Sequence, residues 1–264
     1  MTGCGRVDVV DDVLIDDEPR PGVRRLTLNR PDRHNALSHE LVAALLAALE
    51  AVEADDRVRV VVLRGAGRSF CAGADLDEHF LATDSRPDIG RSGLWERIEQ
   101  LRVPVIAAVQ GWAVTGGFLL AYSCDLIVAA ESARFRDTHA ALGLLPTGGE
   151  SQRLPRLVGL ALARELMFTS RPLSAGEALR AGLVTRVVPD ADLDDAALCL
   201  AEQISVVSPR SVRALKRLIN DGARTGLAGG LWLESELNGN GTANALPDPE
   251  REERLRRFHE SGRI

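Results

Sequence analysis

Aromatic side chains are scarce in this chain: one tyrosine, three tryptophans and six phenylalanines amount to 4% of 264 residues. Alanine, leucine and valine must therefore fill the interior. No stretch approaches the roughly 18 apolar residues that a membrane span needs. The N-terminal region, with Asp8, Asp11 and Asp12 among valines, lacks the charged-then-apolar order of an export signal, so a cytoplasmic protein is expected. The four cysteines, Cys4, Cys71, Cys124 and Cys199, show no CxxC spacing, which argues against a zinc site and a disulfide framework and leaves them as small hydrophobes. Positive charge is not in excess either: the net charge is -6 and the pI about 5.5, so no overall field attracts nucleic acid or an anionic membrane. A polyanionic ligand would need a local basic patch.

What is present is ordinary soluble composition, 45% hydrophobic and 27% charged, in a chain long enough for one main α/β domain with an appendage. Two β-type runs, residues 7–10 and 23–28, flank the turn-rich 18–22 and predict a hairpin. Ser38 precedes Leu41, Leu45, Leu49 and Val52 at helical spacing, predicting an N-capped amphipathic helix to about Ala54. Val58 to Leu63, Val105 to Val109 and Leu126 to Ala129 are continuous apolar runs, the pattern of strands buried on both faces. The first leads into the glycine-rich loop 64–75 and the second into 111–117, followed by an apolar helix. The third is followed by a polar connection holding Phe135, Asp137 and His139. Strand, loop and helix in this order imply a parallel sheet with crossovers. From about residue 174 helices dominate: Ser174 and Glu177 form a capping box, and helices are predicted near 193–207, 209–221, 229–238 and 249–260.

Two glycine loops after neighbouring strands can aim a backbone N–H each into one cleft, and a pair of such donors is what the oxyanion of a thioester requires. Neither loop is a dinucleotide fingerprint, since Gly65-Ala66-Gly67 lacks the third glycine, although a nicotinamide enzyme remains a competing reading. The run Phe70-Cys71-Ala72-Gly73-Ala74-Asp75-Leu76, followed by Pro104 to Gly111, Gly116-Gly117 and Cys124 to Ala129, resembles the crotonase superfamily (enoyl-CoA hydratase/isomerase family). Arg30-Pro31, Asn35-Ala36-Leu37, Gly143, Pro146 and Gln152-Arg153-Leu154 extend the resemblance over nearly the whole chain.

The resemblance implies a crotonase-like ββα-superhelix (spiral) core, residues 1–190, with a helical C-terminal appendage, residues 191–264, for assembly into a homotrimer or a dimer of trimers. It implies an acyl-CoA substrate, with coenzyme A as part of that substrate and no tightly bound cofactor. By the resemblance the oxyanion hole is the N–H pair of Ala74 and Gly116. Gly116, just before a helix, is also where free N–H groups and the macrodipole favour negative charge. CoA would lie against Arg33, Asn35, Ala36, Arg68, Ala72, Asp75 and Leu76, with the arginines facing phosphate.

The chain departs from the family where two glutamates bracket the water of hydration: those positions hold Leu119 and His139. Leucine transfers no proton, so the two-carboxylate mechanism should not operate unless another acid enters. An imidazole at position 139 can serve as acid or base, with Asp137 orienting it or facing solvent. Glu150, where the family usually has a small residue, either supplies the missing carboxylate or stabilises the start of a helix. Thr147 stands where some members with other chemistries carry an aspartate. His34, His39, His79 and His259 lack metal-ligand spacing and read as solvated. Acyl-chain preference would depend on Phe80, Leu81, Trp95 and Phe118. An enzyme is expected; isomerisation, hydrolysis, decarboxylation and acyl-CoA binding without catalysis remain alternatives to hydration.

Overall fold

The computed structural model describes residues 8–11, 13–78, 89–239 and 251–260. Cys4, Val7, Asp12, His79, Phe80 and Leu81 lie outside the described residues. The chain divides into two compact units, residues 1–205 and 206–264.

The first unit is built on a seven-stranded sheet. In chain order its elements are β1 (Asp8–Asp11), β2 (Leu14–Arg20), β3 (Val23–Leu28), α1 (His39–Ala54), β4 (Val60–Gly65), α2 (Leu94–Gln100), β5 (Val105–Val109), β6 (Trp112–Val114), α3 (Gly116–Ser123), β7 (Leu126–Ala130), β8 (Arg134–Arg136), α4 (Glu150–Val158), α5 (Leu160–Thr169), β9 (Leu173–Ser174), α6 (Ala175–Arg180), β10 (Arg186–Val188) and α7 (Leu193–Ser205). The sheet runs β1-β2-β3-β4-β5-β7-β10, antiparallel through β3 and parallel from there on. A second sheet of three short strands has the order β6-β8-β9.

The apolar runs read as doubly buried strands are buried on both sides, and successive residues serve different cores. Val61, Leu63, Val105, Ala107, Val109, Ile127 and Ala129 face one core, which includes Leu41, Leu45, Leu49 and Val52 of α1 and most of α3. Val60, Val62, Ile106, Ala108, Val128 and Ala130 face the other, where Leu193, Ala197, Leu198 and Ala201 of α7 close the sheet. Period-two alternation thus sorts an unbroken apolar string onto two faces. α7 therefore belongs with the sheet, and the compact units meet at 205/206 rather than at the expected 190/191. The caps follow the sequence: Ser38 Oγ accepts from Leu41 N–H at 3.1 Å, and Ser174 and Glu177 form a capping box. Cys71 and Cys124 are buried, and burial pushes the Cys71 thiol up to about 12, whereas Cys199 is exposed.

β2 corrects the predicted hairpin. Residues 14–20, partly inside the turn-rich 18–22 and with no element expected over the rest, form a strand whose carboxylates meet arginines across the ladder from β3. Arg24 Nη2 donates to Asp16 Oδ2 at 2.6 Å and Arg25 Nη2 to Asp17 Oδ2 at 2.6 Å. Asp16 is only 1% exposed. Arg24→Ala strands that carboxylate, and unfolding in denaturant should show a loss of about 3 kcal/mol; an unchanged midpoint would mean that the ion pair does not hold the ladder.

The second unit contains α8 (Pro209–Ala223), α9 (Leu227–Leu237) and α10 (Arg251–Glu260), close to the four predicted helices once α7 is counted with the sheet. Ser208 caps α8 and Pro209 opens it, where a missing N–H costs nothing. Among the described residues no helix is long and apolar enough to cross a membrane.

Candidate active site

The parallel pairing of β6 and β8 assembles the site. Val114 is in register with Arg136, so the chain leaves these strands side by side as Thr115-Gly116 and as Asp137-Thr138-His139. The first glycine loop is drawn to the same place. Cys71 N–H donates to the Trp112 carbonyl at 3.1 Å and Val114 N–H to the Cys71 carbonyl at 2.9 Å. Leu37 bridges Ala74 in parallel fashion, using Gly73 O and Asp75 N–H and turning the Ala74 N–H away from this ladder. Gly116 opens α3, whose first N–H groups have no intrahelical acceptor. A Cβ built on Gly116 would lie 3.6 Å from Ala74 N, and both residues line a cavity of about 520 Å³. Two neighbouring backbone donors thus border one cavity. Gly73, at φ +92°, is required here because a side chain would meet the Val114 carbonyl at 2.7 Å.

His139 and Glu150 line the same cavity. Nδ1 of His139 is 3.1 Å from both oxygens of Asp137, and the His139 N–H donates to Asp137 Oδ1 at 3.0 Å. An acceptor at Nδ1 keeps the proton there and leaves Nε2 as the basic nitrogen. Nε2 lies 3.9 Å from Glu150 Oε1, while Glu150 Oε2 accepts from Gly148 N–H at 3.1 Å. Burial is the largest influence on Glu150 and holds its carboxyl above the ordinary range, with Asp137 adding to the shift. A backbone hydrogen bond and the charge of His139 oppose it without prevailing. The carboxyl therefore keeps its proton at a pH where an exposed glutamate has lost it.

Leu119 is wholly buried and does not line the cavity. Its Cδ2 would be 2.4 Å from a Cβ on Gly148, next to the Trp95 indole, so apolar groups fill the space behind the Gly148 turn. Glu150 enters from α4 instead. It is the first residue of that helix and is buried in the cavity wall.

The residues expected against CoA separate into two groups. Ala72 and Leu76 line the cavity, and Arg33 and Arg68 are exposed, Arg33 pairing with Asp77 at 3.0 Å. Asn35, Ala36 and Asp75 hold the loops together. Asn35 Nδ2 donates to the carbonyls of Ala66 and Ser69, Arg30 donates to the Ala36 carbonyl, and Arg30 pairs with Asp75 at 2.9 Å.

Sequence reasoning missed a second imidazole. His39 is partly buried on the cavity wall, where Nδ1 and the backbone N–H both meet Glu78 Oε2, at 3.1 and 2.9 Å. Its place at the first turn of α1 was the available signal. Missed as well were Thr115 and Thr138, whose hydroxyl oxygens are 2.5 Å apart. Thr147 and Trp95 also border the cavity, whereas Phe118 is buried against Phe135, the rings tilted 42° with centroids 5.3 Å apart.

The family model described as enoyl-CoA hydratase/isomerase matches residues 18–263. A probable enoyl-CoA hydratase of Rhizobium meliloti is 41% identical over 229 residues, which cover 85% of this chain and 87% of that protein. Among solved structures, enoyl-CoA hydratase from Bacillus anthracis superposes with a TM-score of 0.87 at 37% identity, covering 94% of this chain and 96% of that one. A monofunctional enoyl-CoA isomerase from M. smegmatis gives 0.74 at 36% identity, covering 84% and 99%. The fold is the crotonase fold that the resemblance implied, and the chain belongs to the enoyl-CoA hydratase/isomerase family.

Proposed function

We propose that the chain adds water reversibly to the C2–C3 double bond of an acyl-CoA thioester, with an imidazole and a protonated carboxyl in place of two glutamates. The observation that carries this reading is the 3.9 Å separation of His139 Nε2 and Glu150 Oε1 on the wall that also holds the Ala74 and Gly116 amides. The thioester oxygen rests between those amides, which stabilise the enolate as electrons move onto it. His139 Nε2 takes a proton from water while the water oxygen bonds to C3, and Asp137 steadies the imidazolium. Glu150 delivers its proton to C2. The proton gained by the imidazole then returns to the Glu150 carboxylate, whose nearness resets the pair. Ala72 and Leu76 contact the CoA arm, and Arg33 and Arg68 face its phosphates.

Mass spectrometry of a panel of CoA esters tests the reaction. Gain of one water supports hydration, whereas a moved double bond at constant mass indicates isomerisation and release of CoA indicates hydrolysis. Binding of every ester without turnover would leave an acyl-CoA-binding protein. Gly116→Ala tests the amides. Its methyl has no contact closer than 3.6 Å, so the fold should persist, but it narrows the gap to Ala74 N and should lower kcat/KM about 100-fold. Wild-type rates with a normal circular dichroism spectrum would remove the oxyanion role. Gly117→Ala is no substitute, because its methyl would lie 2.1 Å from the Cys71 carbonyl.

A further inference from the structure

Thr115 has φ +51° and ψ -109°, a conformation that a β-branched residue adopts only when its surroundings impose it. The other described non-glycine residues with positive φ are His34, Asn35 and Ser170, none of them β-branched. Three hydrogen bonds hold Thr115 in place. Its N–H donates to the Arg136 carbonyl at 2.7 Å, its Oγ1 accepts from Thr138 N–H at 3.2 Å, and the two threonine hydroxyls bond at 2.5 Å. Thr115 directly precedes Gly116, and Thr138 directly precedes His139.

We propose that this Thr115–Thr138 clasp is a positioning device that sets the oxyanion amide and the catalytic imidazole relative to one another. A glycine would enter the turn at position 115 without strain; threonine enters it only while its hydroxyl is held. The direction of the Gly116 N–H is then tied to the loop that carries His139, and the two halves of the site share one anchor. Geometry of this kind has a large effect on rate, because misplacing a reacting group by about 1 Å can cost two orders of magnitude.

The inference rests on the thioester reading, and a spectroscopic probe separates the two. The probe is 4-(dimethylamino)cinnamoyl-CoA, whose absorption band moves to the red as its carbonyl is polarised. Thr115→Val keeps shape and strain but loses both side-chain hydrogen bonds. It should bind the probe within about 3-fold of wild type, lose half or more of the red shift and lower kcat about 10- to 100-fold. Thr115→Ser, which keeps the hydroxyl, should return close to wild type, whereas Thr115→Gly, which removes the strain together with both clasp hydrogen bonds, should stay impaired. A wild-type shift in Thr115→Val, or a Thr115→Gly protein with wild-type shift and kcat, overturns the clasp. Should Thr115→Val not fold, Thr138→Val against Thr138→Ser decides the matter by the same readouts. Probe bound to wild type with no red shift would instead sink the oxyanion reading.

Discussion

His139→Ala should lower kcat/KM for hydration of a 2-enoyl thioester by roughly 10,000-fold, the upper end of what one general acid–base group supplies. Neither Asp137 nor Glu150 can replace it. Asp137 is committed to Nδ1 and the His139 N–H, and Glu150 is proposed as the acid of the pair. Affinity for the ester should change far less, since the CoA contacts proposed above lie along the other loop. Because the side chain is only 12% exposed, its removal leaves a pocket that a water can enter, so thermal melting should accompany the kinetics. A folded His139→Ala protein that retains a tenth of wild-type activity would exclude the imidazole as base.

Glu150→Gln should reduce kcat about 1,000-fold, because the amide keeps the hydrogen bond from Gly148 but has no proton to give. The pH dependence follows from the raised pKa. In wild type the acid form is lost as pH climbs through the folded-state pKa, so kcat falls on the alkaline side; the Gln variant should lack that limb. Stability has the same origin. A carboxyl whose pKa is higher folded than unfolded contributes stability that is fully present below the unfolded pKa and lost as pH rises through the folded one. Above the folded-state pKa wild type therefore carries an unfavourable buried carboxylate, and there Glu150→Gln should melt at an equal or higher temperature, with the difference fading as pH falls below the unfolded pKa. A variant both less stable on the alkaline side and fully active would contradict the assignment. Gain in stability with loss of turnover is the pattern of a group retained for chemistry.

Much of the fold was legible because it is written locally. The strings at 58–63, 105–109 and 126–129 read as strands covered on both faces and lie in or overlap β4, β5 and β7, and Ser38 and Ser174 announce helices by their caps. The two glycine loops were legible as a pair because glycine is demanded where backbones approach one another. β2 was not: its acidic residues gain strand character only from Arg24 and Arg25 across the ladder, a pairing that no local pattern encodes. For the same reason His39 read as solvated, since Glu78 reaches it from a distant loop. Glu150 remained ambiguous because its distance to His139 depends on the path of the loop through Gly143 and Gly149, not on any periodicity. The Thr115–Thr138 bond depends on the register of two three-residue strands, too short to be recognised alone.

α3 is buried along all eight residues. Such a segment has no wet side on which to breathe, and its amides beyond the first turn should exchange with deuterium only when the surrounding unit opens as a whole. The N–H proposed to receive the thioester oxygen thus begins the most sheltered helix among the described residues, so the receptor stands ready before the ligand arrives and little is spent on rearranging it.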